Sequence, residues 1–352
     1  MEFDFNGKKV GENNKVFIIA ELSANHNQNY DIAVKTIKAM KEAGADAVKL
    51  QTYTADTLTL DCDNDYFKIN QGTLWDGQTF HELYKQAYTP WDWQPKLKKL
   101  ADELGLVFFS SAFDKTAIDF LDDMNVPMHK IASFEITDIP LIKHAASKGK
   151  PLIISTGIAT SEDIEKAVEA CKEVGNDKII LLKCTSAYPT PYEEANLATI
   201  KDLEERFGVV AGLSDHTLGI SAPVASVALG AKLIEKHFIL DKKLGGPDVE
   251  FSLNPKEFKQ MVDSVREAEK AIGKVNYELT EKMKKGKEFA RSLFVSKDVK
   301  EGEVFSEENV RSVRPWFGLH PENFDKVIGK KARKDIKMGT PLSWELIDDG
   351  KE

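Results

Sequence analysis

Residues 209–238 read VVAGLSDHTLGISAPVASVALGAKLIEKHF, and the fold follows from how this stretch is parsed. Two short apolar runs, 209–213 and 233–234, each lead into polar residues. Ser214, Asp215, His216 and Thr217 follow the first; Glu235, Lys236 and His237 follow the second. Between them, residues 220–229 are Ala-rich and apolar with helical spacing. Strand, helix, strand at this length predicts a parallel crossover, which places the C-terminal ends of both strands on one side of a sheet. His216 and His237 then face each other across a short gap. Two imidazoles held that way can share a divalent metal and leave positions open for oxygen donors. The competing reading makes each histidine a separately hydrogen-bonded strand-end residue, and both readings stand on these two residues alone.

Working outward, the same cycle recurs. Buried strands are expected at 16–22, 47–52, 106–111, 129–133, 152–156 and 179–185, with helices at 30–43, 116–123, 140–147, 161–174 and 196–207. Ser161, with Glu162 and Asp163 behind it, reads as a helix start with a capping hydroxyl and acids in the first turn. The two strands of 209–238 bring the count to eight. Eight strand–helix units over about 250 residues is the arithmetic of a (β/α)8 TIM barrel. An open doubly wound sheet is the competitor, but no Gly-x-Gly-x-x-Gly turn follows the first strand.

Residues 53–92 are too long for a plain crossover and carry Tyr66, Phe67, Trp75, Tyr84, Tyr88 and Trp91. This insertion is expected over the barrel mouth, either as a sugar-contacting wall or lid or packed on the rim. Residues 1–15 read as a β-hairpin arm ahead of the barrel domain, 16–280. A lysine-rich linker at 281–286 leads to short strands at 292–296, 304–305 and 341–342. Residues 287–352 are therefore expected to form a small β-rich domain whose thin core leans on a partner surface.

The 352 residues are 42% hydrophobic and 30% charged, ordinary for a soluble globular protein. No apolar run approaches the roughly 20 residues that span a bilayer, and residues 1–9 lack the apolar core of a signal peptide. Cys62, Cys171 and Cys184 show no paired spacing, which points to a reducing compartment, the cytoplasm. A net charge of −9 argues against general nucleic-acid binding, though not against a small anionic substrate.

A barrel of this kind carries its active site at the C-terminal ends of its strands. The polar residues there are Glu21, Asn25 and His26; Lys49 and Gln51; Ser110 and Ser111; Lys130, Ser133 and Glu135; Ser155, Thr156 and Gly157; Lys183, Thr185, Ser186 and Tyr188; Ser214, Asp215 and His216; and His237 with Asp248 beyond it. Lys49, Lys130 and Lys183 each interrupt an apolar strand. Singly, each has an ordinary explanation as a snorkelling or ion-paired side chain. Together with the hydroxyls they suit a phosphate and a carboxylate. Glu21, Glu135 and Asp248 beside two histidines add acid–base capacity and support for a metal. With no Gly-x-Ser-x-Gly elbow, Ser/His/Asp catalysis is the weaker reading. The inventory predicts an enzyme.

Several motifs resemble those of the sialic acid synthase family: Glu21-Leu22-Ser23-Ala24-Asn25-His26, Lys49-Leu50-Gln51-Thr52, Lys130-Ile131-Ala132-Ser133, Ser155-Thr156-Gly157, Tyr188-Pro189-Thr190-Pro191, Gly212-Leu213-Ser214-Asp215-His216-Thr217 and Glu235-Lys236-His237-Phe238. The C-terminal part, with Arg314-Pro315 and Lys337-Met338-Gly339, resembles that family's antifreeze-like (SAF) domain. Within the family, the first motif, Gly72-Thr73-Leu74-Trp75 and Phe317-Gly318-Leu319-His320-Pro321 are similar to the pseudaminic acid branch. Ser186 stands where the neuraminate branch commonly carries Asn.

The resemblance implies condensation of phosphoenolpyruvate with open-chain 2,4-diacetamido-2,4,6-trideoxy-L-altrose, a 6-deoxy diacetamido hexose, giving a nine-carbon 2-keto acid and phosphate. Lys49, Ser111, Lys130, Ser133, Ser186 and Ser214 would bind phosphoenolpyruvate. His216 and His237 would hold Mn²⁺, with Mg²⁺ or Co²⁺ as alternatives, and Glu135 and Asp248 would lie near its waters. Glu135 would handle the water proton and Glu21 would orient the sugar, with Asn25, Gln51 and Tyr188 in the substrate-binding set. A domain-swapped homodimer is implied, in which Arg314 reaches an acetamido group or hydroxyl of the sugar in the other subunit. Read alone, Arg314 is a surface charge. Legionaminate or neuraminate precursors are alternative acceptors within the family. A sugar- or ice-binding protein on an inactive barrel is the reading from another class, and the histidines and strand lysines argue against it.

Overall fold

The computed structural model describes residues 2–70, 72 and 75–348. Thr73 and Leu74 of the motif at 72–75, and the last residues of the small domain, lie outside the described residues. The chain divides into two compact units after Gly273, so residues 274–280 group with the second unit.

The N-terminal arm is a hairpin. Strand β1 (Glu2–Phe5) pairs antiparallel with β2 (Lys8–Gly11). Asn6 and Gly7, at φ of 54° and 87°, make the turn, a left-handed geometry that suits the twist of paired strands. Phe3, Phe5 and Val10 cluster with Phe17, Val107 and Val210, and Phe5 meets Phe17 edge-on at 5.5 Å. The arm therefore plugs the N-terminal end of the barrel; its alternating phenylalanines find their apolar partners there.

Eight strands follow: β3 (Phe17–Glu21), β4 (Ala47–Thr52), β5 (Val107–Ala112), β6 (His129–Ile131), β7 (Leu152–Ser155), β8 (Ile179–Cys184), β9 (Val210–Asp215) and β10 (Leu233–His237). All are parallel and neighbour one another in chain order. β10 returns to β3, with Leu233 opposite Phe17 and His237 opposite Glu21, so the sheet closes as a barrel. The expected (β/α)8 TIM barrel is what the chain forms.

Alternation along each strand decides what each side chain faces. Ile19, Ala47, Phe109, Met128, Ile153, Leu182 and Leu233 fill the interior. Their strand neighbours, such as Ile18, Val48, Phe108, Ile154, Leu181 and Ile234, belong to the outer layer under the helices. Helix Tyr30–Glu42, capped by Asn29, contributes Ala33, Ile37 and Met40 to that layer. Truncating a fully buried residue such as Ile154 to Ala would cost about 2–5 kcal/mol. A Cβ on Gly212 would come within 2.5 Å of the Leu233 carbonyl oxygen, so only glycine fits where β9 and β10 meet.

One cap differs from expectation. Helix Ser161–Glu173 is capped by Thr160, whose extended backbone lets its hydroxyl accept from the Asp163 N–H while the Asp163 carboxylate accepts from the Thr160 N–H at 2.9 Å. Ser161 is the first helical residue and not the cap. The insertion is also more ordered than its sequence shows. It contains helices Ala55–Leu58 and Phe80–Ala87, each opened by a reciprocal cap, Thr54 with Thr57 and Thr79 with Glu82.

In the second unit, β11 (Ser292–Val295) pairs with β12 (Val310–Val313), and β13 (Lys331–Ala332) with β14 (Ile347–Asp348), all antiparallel. Leu293, Val295, Val299, Phe305, Val310 and Ile336 belong to its small core. Among the described residues no helix is long and apolar enough to cross a membrane.

Candidate active site

At the C-terminal rim the inward-facing position of each strand turns polar: Glu21, Lys49, Ser111, Lys130, Ser155, Ser214 and Glu235, with Cys184 on β8. Each is nearly or fully buried, so each charge needs a partner. Lys49 Nζ lies 2.9 Å from Glu21 Oε2 and 3.0 Å from Glu235 Oε1, and donates to Ser111 Oγ at 3.2 Å. Ser214 Oγ donates to Glu235 Oε1 at 2.9 Å. Lys130 Nζ donates to Ser155 Oγ at 2.7 Å and to the Ile131 carbonyl at 3.0 Å.

These surroundings separate the two carboxylates. Burial pushes Glu21 up to about 7 despite its single lysine. Burial acts on Glu235 as well, but Lys49 and Lys130 together hold it down at about 2. Lys49 loses stability as a cation through burial, yet Glu21 and Glu235 more than restore it and its titration moves up. Lys130 is brought down to about 8 by burial. At neutral pH the ring therefore holds a firm Lys49 cation, a firm Glu235 anion and a lysine near its titration point.

The ring, Glu21 excepted, floors a cavity of about 520 Å³. Above it stand Ser133, Glu135, Tyr188, His216, His237 and Asp248, and the insertion supplies Leu58, Ile69, Phe80 and Leu83. The His216 and His237 ring centroids are 5.2 Å apart. His216 Nδ1 faces the Thr185 carbonyl at 3.3 Å and Cys184 Sγ at 3.7 Å, which leaves Nε2 as its free nitrogen. His237 Nδ1 is buried with no hydrogen-bond partner, 4.0 Å from Asp248 Oδ2. Burial, with the charges of His216 and Lys49, keeps His237 well below the usual imidazole range, so it is neutral.

A neutral ring with an orphaned nitrogen, one ring's width from a second imidazole, fits a shared divalent ion at about 2.1 Å per nitrogen. Among the described residues no group of three or more His, Cys, Asp or Glu is gathered for a metal. The remaining positions would fall to water or substrate oxygens.

Residues 36–277 match the NeuB family, and residues 290–348 match the SAF domain. The chain belongs to the NeuB family. The motif resemblance is borne out across both parts. This NeuB-family chain is 53% identical over 328 residues to a pseudaminic acid synthase from Campylobacter jejuni, covering 93% of this chain and 95% of that protein. It is 48% identical over 332 residues to a pseudaminic acid synthase from Helicobacter pylori, covering 94% and 97%. It is also similar to the solved N-acetylneuraminic acid synthetase of Leptospira borgpetersenii, in complex with citrate. That similarity has a TM-score of 0.73 at 32% identity and covers 81% of this chain and 95% of that one.

In this NeuB-family site the structure brings together Lys49, Gln51, Ser111, Lys130, Ser133, Glu135, Tyr188, Ser214, His216, His237 and Asp248. Other expected residues stand elsewhere. Glu21 does not line the cavity; it is fully buried, bound to Lys49 and to the Ser23 N–H at 2.8 Å. Asn25 is likewise buried, and its amide donates to the Phe238 carbonyl and to Ser252 Oγ, both at 2.9 Å, so it ties a loop and meets no substrate space. Ser186 is next to Gly157, where a Cβ would come within 2.1 Å of its Oγ, and it does not line the cavity. Arg314 is an exposed residue of the second unit.

The expected third lysine fails by parity. Leu182 and Cys184 face inward, so Lys183 faces outward, where its Nζ donates to the Cys184 carbonyl at 2.6 Å and to Thr185 Oγ1 at 3.1 Å. Two lysines meet in the cavity, not three. Ser155, one of the strand-end hydroxyls, lines it as expected, and so do Glu235 and Cys184, to which strand-end reasoning assigned no role. The signal for Glu235 was available: it stands two residues before His237 on the same strand face.

Proposed function

We propose that this chain condenses phosphoenolpyruvate with 2,4-diacetamido-2,4,6-trideoxy-L-altrose, giving pseudaminic acid and phosphate. The observation that carries the proposal is the set Lys49, Lys130, Ser111, Ser155 and Ser214 on the floor of the cavity that also holds the His216–His237 pair. The names of the Campylobacter and Helicobacter relatives, matched along almost their whole length, support the choice of acceptor.

In this reading the two lysines and the hydroxyls, with Ser133, bind the phosphate and carboxylate of phosphoenolpyruvate through charge-assisted hydrogen bonds. His216 and His237 would hold a divalent ion, Mn²⁺ or else Mg²⁺ or Co²⁺, which when bound would supply Lewis acidity toward the aldehyde oxygen. The electron pair of the enol double bond forms the new bond from C3 to the aldehyde carbon, leaving C2 cationic. Water adds at C2 and gives its proton to Glu135. This carboxylate is suited to accept it, because its Oε2 is buried without a partner and burial puts its titration at about 7. That proton balances the alkoxide made from the aldehyde. The bond from C2 to the phosphate oxygen then breaks, the C2 hydroxyl gives its proton to the departing phosphate as the carbonyl forms, and the 2-keto acid remains. Glu21 acts one step removed, by holding Lys49 in place, and Asp248, 4.0 Å from His237 Nδ1, would lie near the waters of the ion.

The proposal extends to a domain-swapped homodimer in which Arg314 of one subunit contacts the sugar of the other. Arg314 stands exposed beside the exposed Trp316 and Phe317, which supports a role at an interface. The cytoplasm is the proposed compartment, supported by three cysteines that are all free thiols. The test is phosphate release by metal-loaded protein. It should require both phosphoenolpyruvate and the altrose derivative, and a chelator should stop it.

A further inference from the structure

Behind the two histidines, the outer face of the sheet carries a charge pair that the reaction itself does not use. His216 and His237 line the cavity, so their chain neighbours Asp215 and Lys236 turn outward. These two stand opposite each other where β9 meets β10. Next along the same layer, Ala20 on β3 and Val48 on β4 are apolar members of the outer core. Lys236 is fully buried and Asp215 nearly so. Lys236 Nζ lies 2.5 Å from Asp215 Oδ2 and also donates to the Thr217 carbonyl. The Asp215 carboxylate accepts from the Thr217 N–H at 3.2 Å and from Thr217 Oγ1 at 3.1 Å. The residues on either side of His216 are thus bound to each other and to the residue before His237.

A buried ion pair adds little to the stability of a barrel, because taking both charges out of water costs about as much as their attraction returns. The apolar side chains at the adjoining positions on β3 and β4 avoid that cost. What a buried and hydrogen-bonded pair does provide is a fixed geometry. Here the fixed segments are the two that carry the imidazoles, whose ring centroids are 5.2 Å apart. An ion shared by two rings is sensitive to how the rings are held, and residues that orient ligands from behind change metal affinity when replaced. Resting on the reading of His216 and His237 as ligands of the ion, we propose that Lys236 and Asp215 are positioning residues. They hold the two rings in place relative to each other and so set the affinity for a divalent ion. Neither lines the cavity.

The test is a Mn²⁺ titration of the full chain, with free aqueous Mn²⁺ read by electron paramagnetic resonance. It compares the wild type with Lys236→Met, the double variant Asp215→Asn/Lys236→Met, Ile154→Ala and His237→Ala. Lys236→Met keeps most of the side-chain length and removes the ammonium. The double variant leaves no charge unpaired, so it decides the matter if the single one fails to fold. Ile154→Ala weakens the same outer layer on β7 and stands for a merely structural loss. Both Lys236 variants should raise the Kd for Mn²⁺ about 10- to 100-fold, while Ile154→Ala should stay within about twofold. An unchanged Kd in Lys236 variants shown to be folded by thermal melt would overturn the proposal. So would an equal rise in Ile154→Ala. His237→Ala judges the underlying reading separately, since it should abolish the site. If the wild type binds Mn²⁺ no more tightly than His237→Ala, that reading fails and the positioning role falls with it.

Discussion

Glu235 and Lys49 form a buried ion pair at 3.0 Å on the inner face of the barrel. Glu235 also accepts from Ser214, so it fixes the lysine from one side while Glu21 holds it from the other. A cation locked in this way is in position before an anionic substrate arrives and needs no reorganisation to bind it.

Replacing Glu235 by Gln should therefore act twice. Lys49 keeps Glu21, so the loss of stability should fall at the low end of the cost of breaking a buried pair, about 3 kcal/mol. The KM for phosphoenolpyruvate should rise at the same time. Urea unfolding and steady-state kinetics on the one variant check both.

Two of the three lysines that sequence reading grouped together, Lys130 and Lys183, should separate sharply. Lys130→Ala removes a cation from the cavity floor and should lower kcat/KM by about 10²- to 10³-fold. Lys183 faces the outer layer, and Lys183→Ala should stay within about twofold of the wild type. Equal losses would mean that the inward and outward faces of β8 have been assigned wrongly.

Gly157 is a steric test of the phosphoenolpyruvate pocket. A Cβ there would lie 2.1 Å from Ser186 Oγ and 2.7 Å from Ser133 Oγ, and the Gly157 N–H now donates to Ser133 at 3.1 Å. Gly157→Ala should cost about 1–3 kcal/mol of stability through overpacking. By displacing Ser133 it should raise the KM for phosphoenolpyruvate more than it lowers kcat.

Glu135 sets a pH dependence. Burial raises its titration from 4.5 to about 7. If its carboxylate accepts the water proton, kcat should rise with pH through about 7, and Glu135→Gln should lose that limb along with about 10²- to 10⁴-fold of rate. Stability runs the other way. A carboxyl held protonated in the folded state contributes fully below its unfolded value, and that contribution is gone once the pH has risen through about 7. Between those limits the wild type should lose stability relative to Glu135→Gln, as thermal melts across the range would show.

Much of this was legible because barrel strands alternate. Apolar runs ending in polar residues located all eight strands, and the same alternation, applied strictly, would have turned Lys183 outward and Glu235 inward. The motif resemblance pointed to Asn25 and Glu21, and both are indeed beside the site. What no periodicity reveals is whether a polar group at a strand end reaches substrate space or ties a loop, as Asn25 does through Phe238 and Ser252. The insertion's share of the cavity was hidden for a different reason. Leu58 and Leu83 lie in two short helices 25 residues apart, brought together by the histidine link from His81 to Asp56 and Asp61, and short helices leave little pattern to read.

The most direct measurement is a single competition. Metal-loaded protein is given phosphoenolpyruvate with an equal mixture of 2,4-diacetamido-2,4,6-trideoxy-L-altrose and the legionaminate and neuraminate precursors, and products are read by mass against phosphate released. The altrose-derived nine-carbon keto acid should dominate, equal in amount to the phosphate, and should vanish in His237→Ala. A different dominant product, or phosphate released without any sugar consumed, would contradict the account.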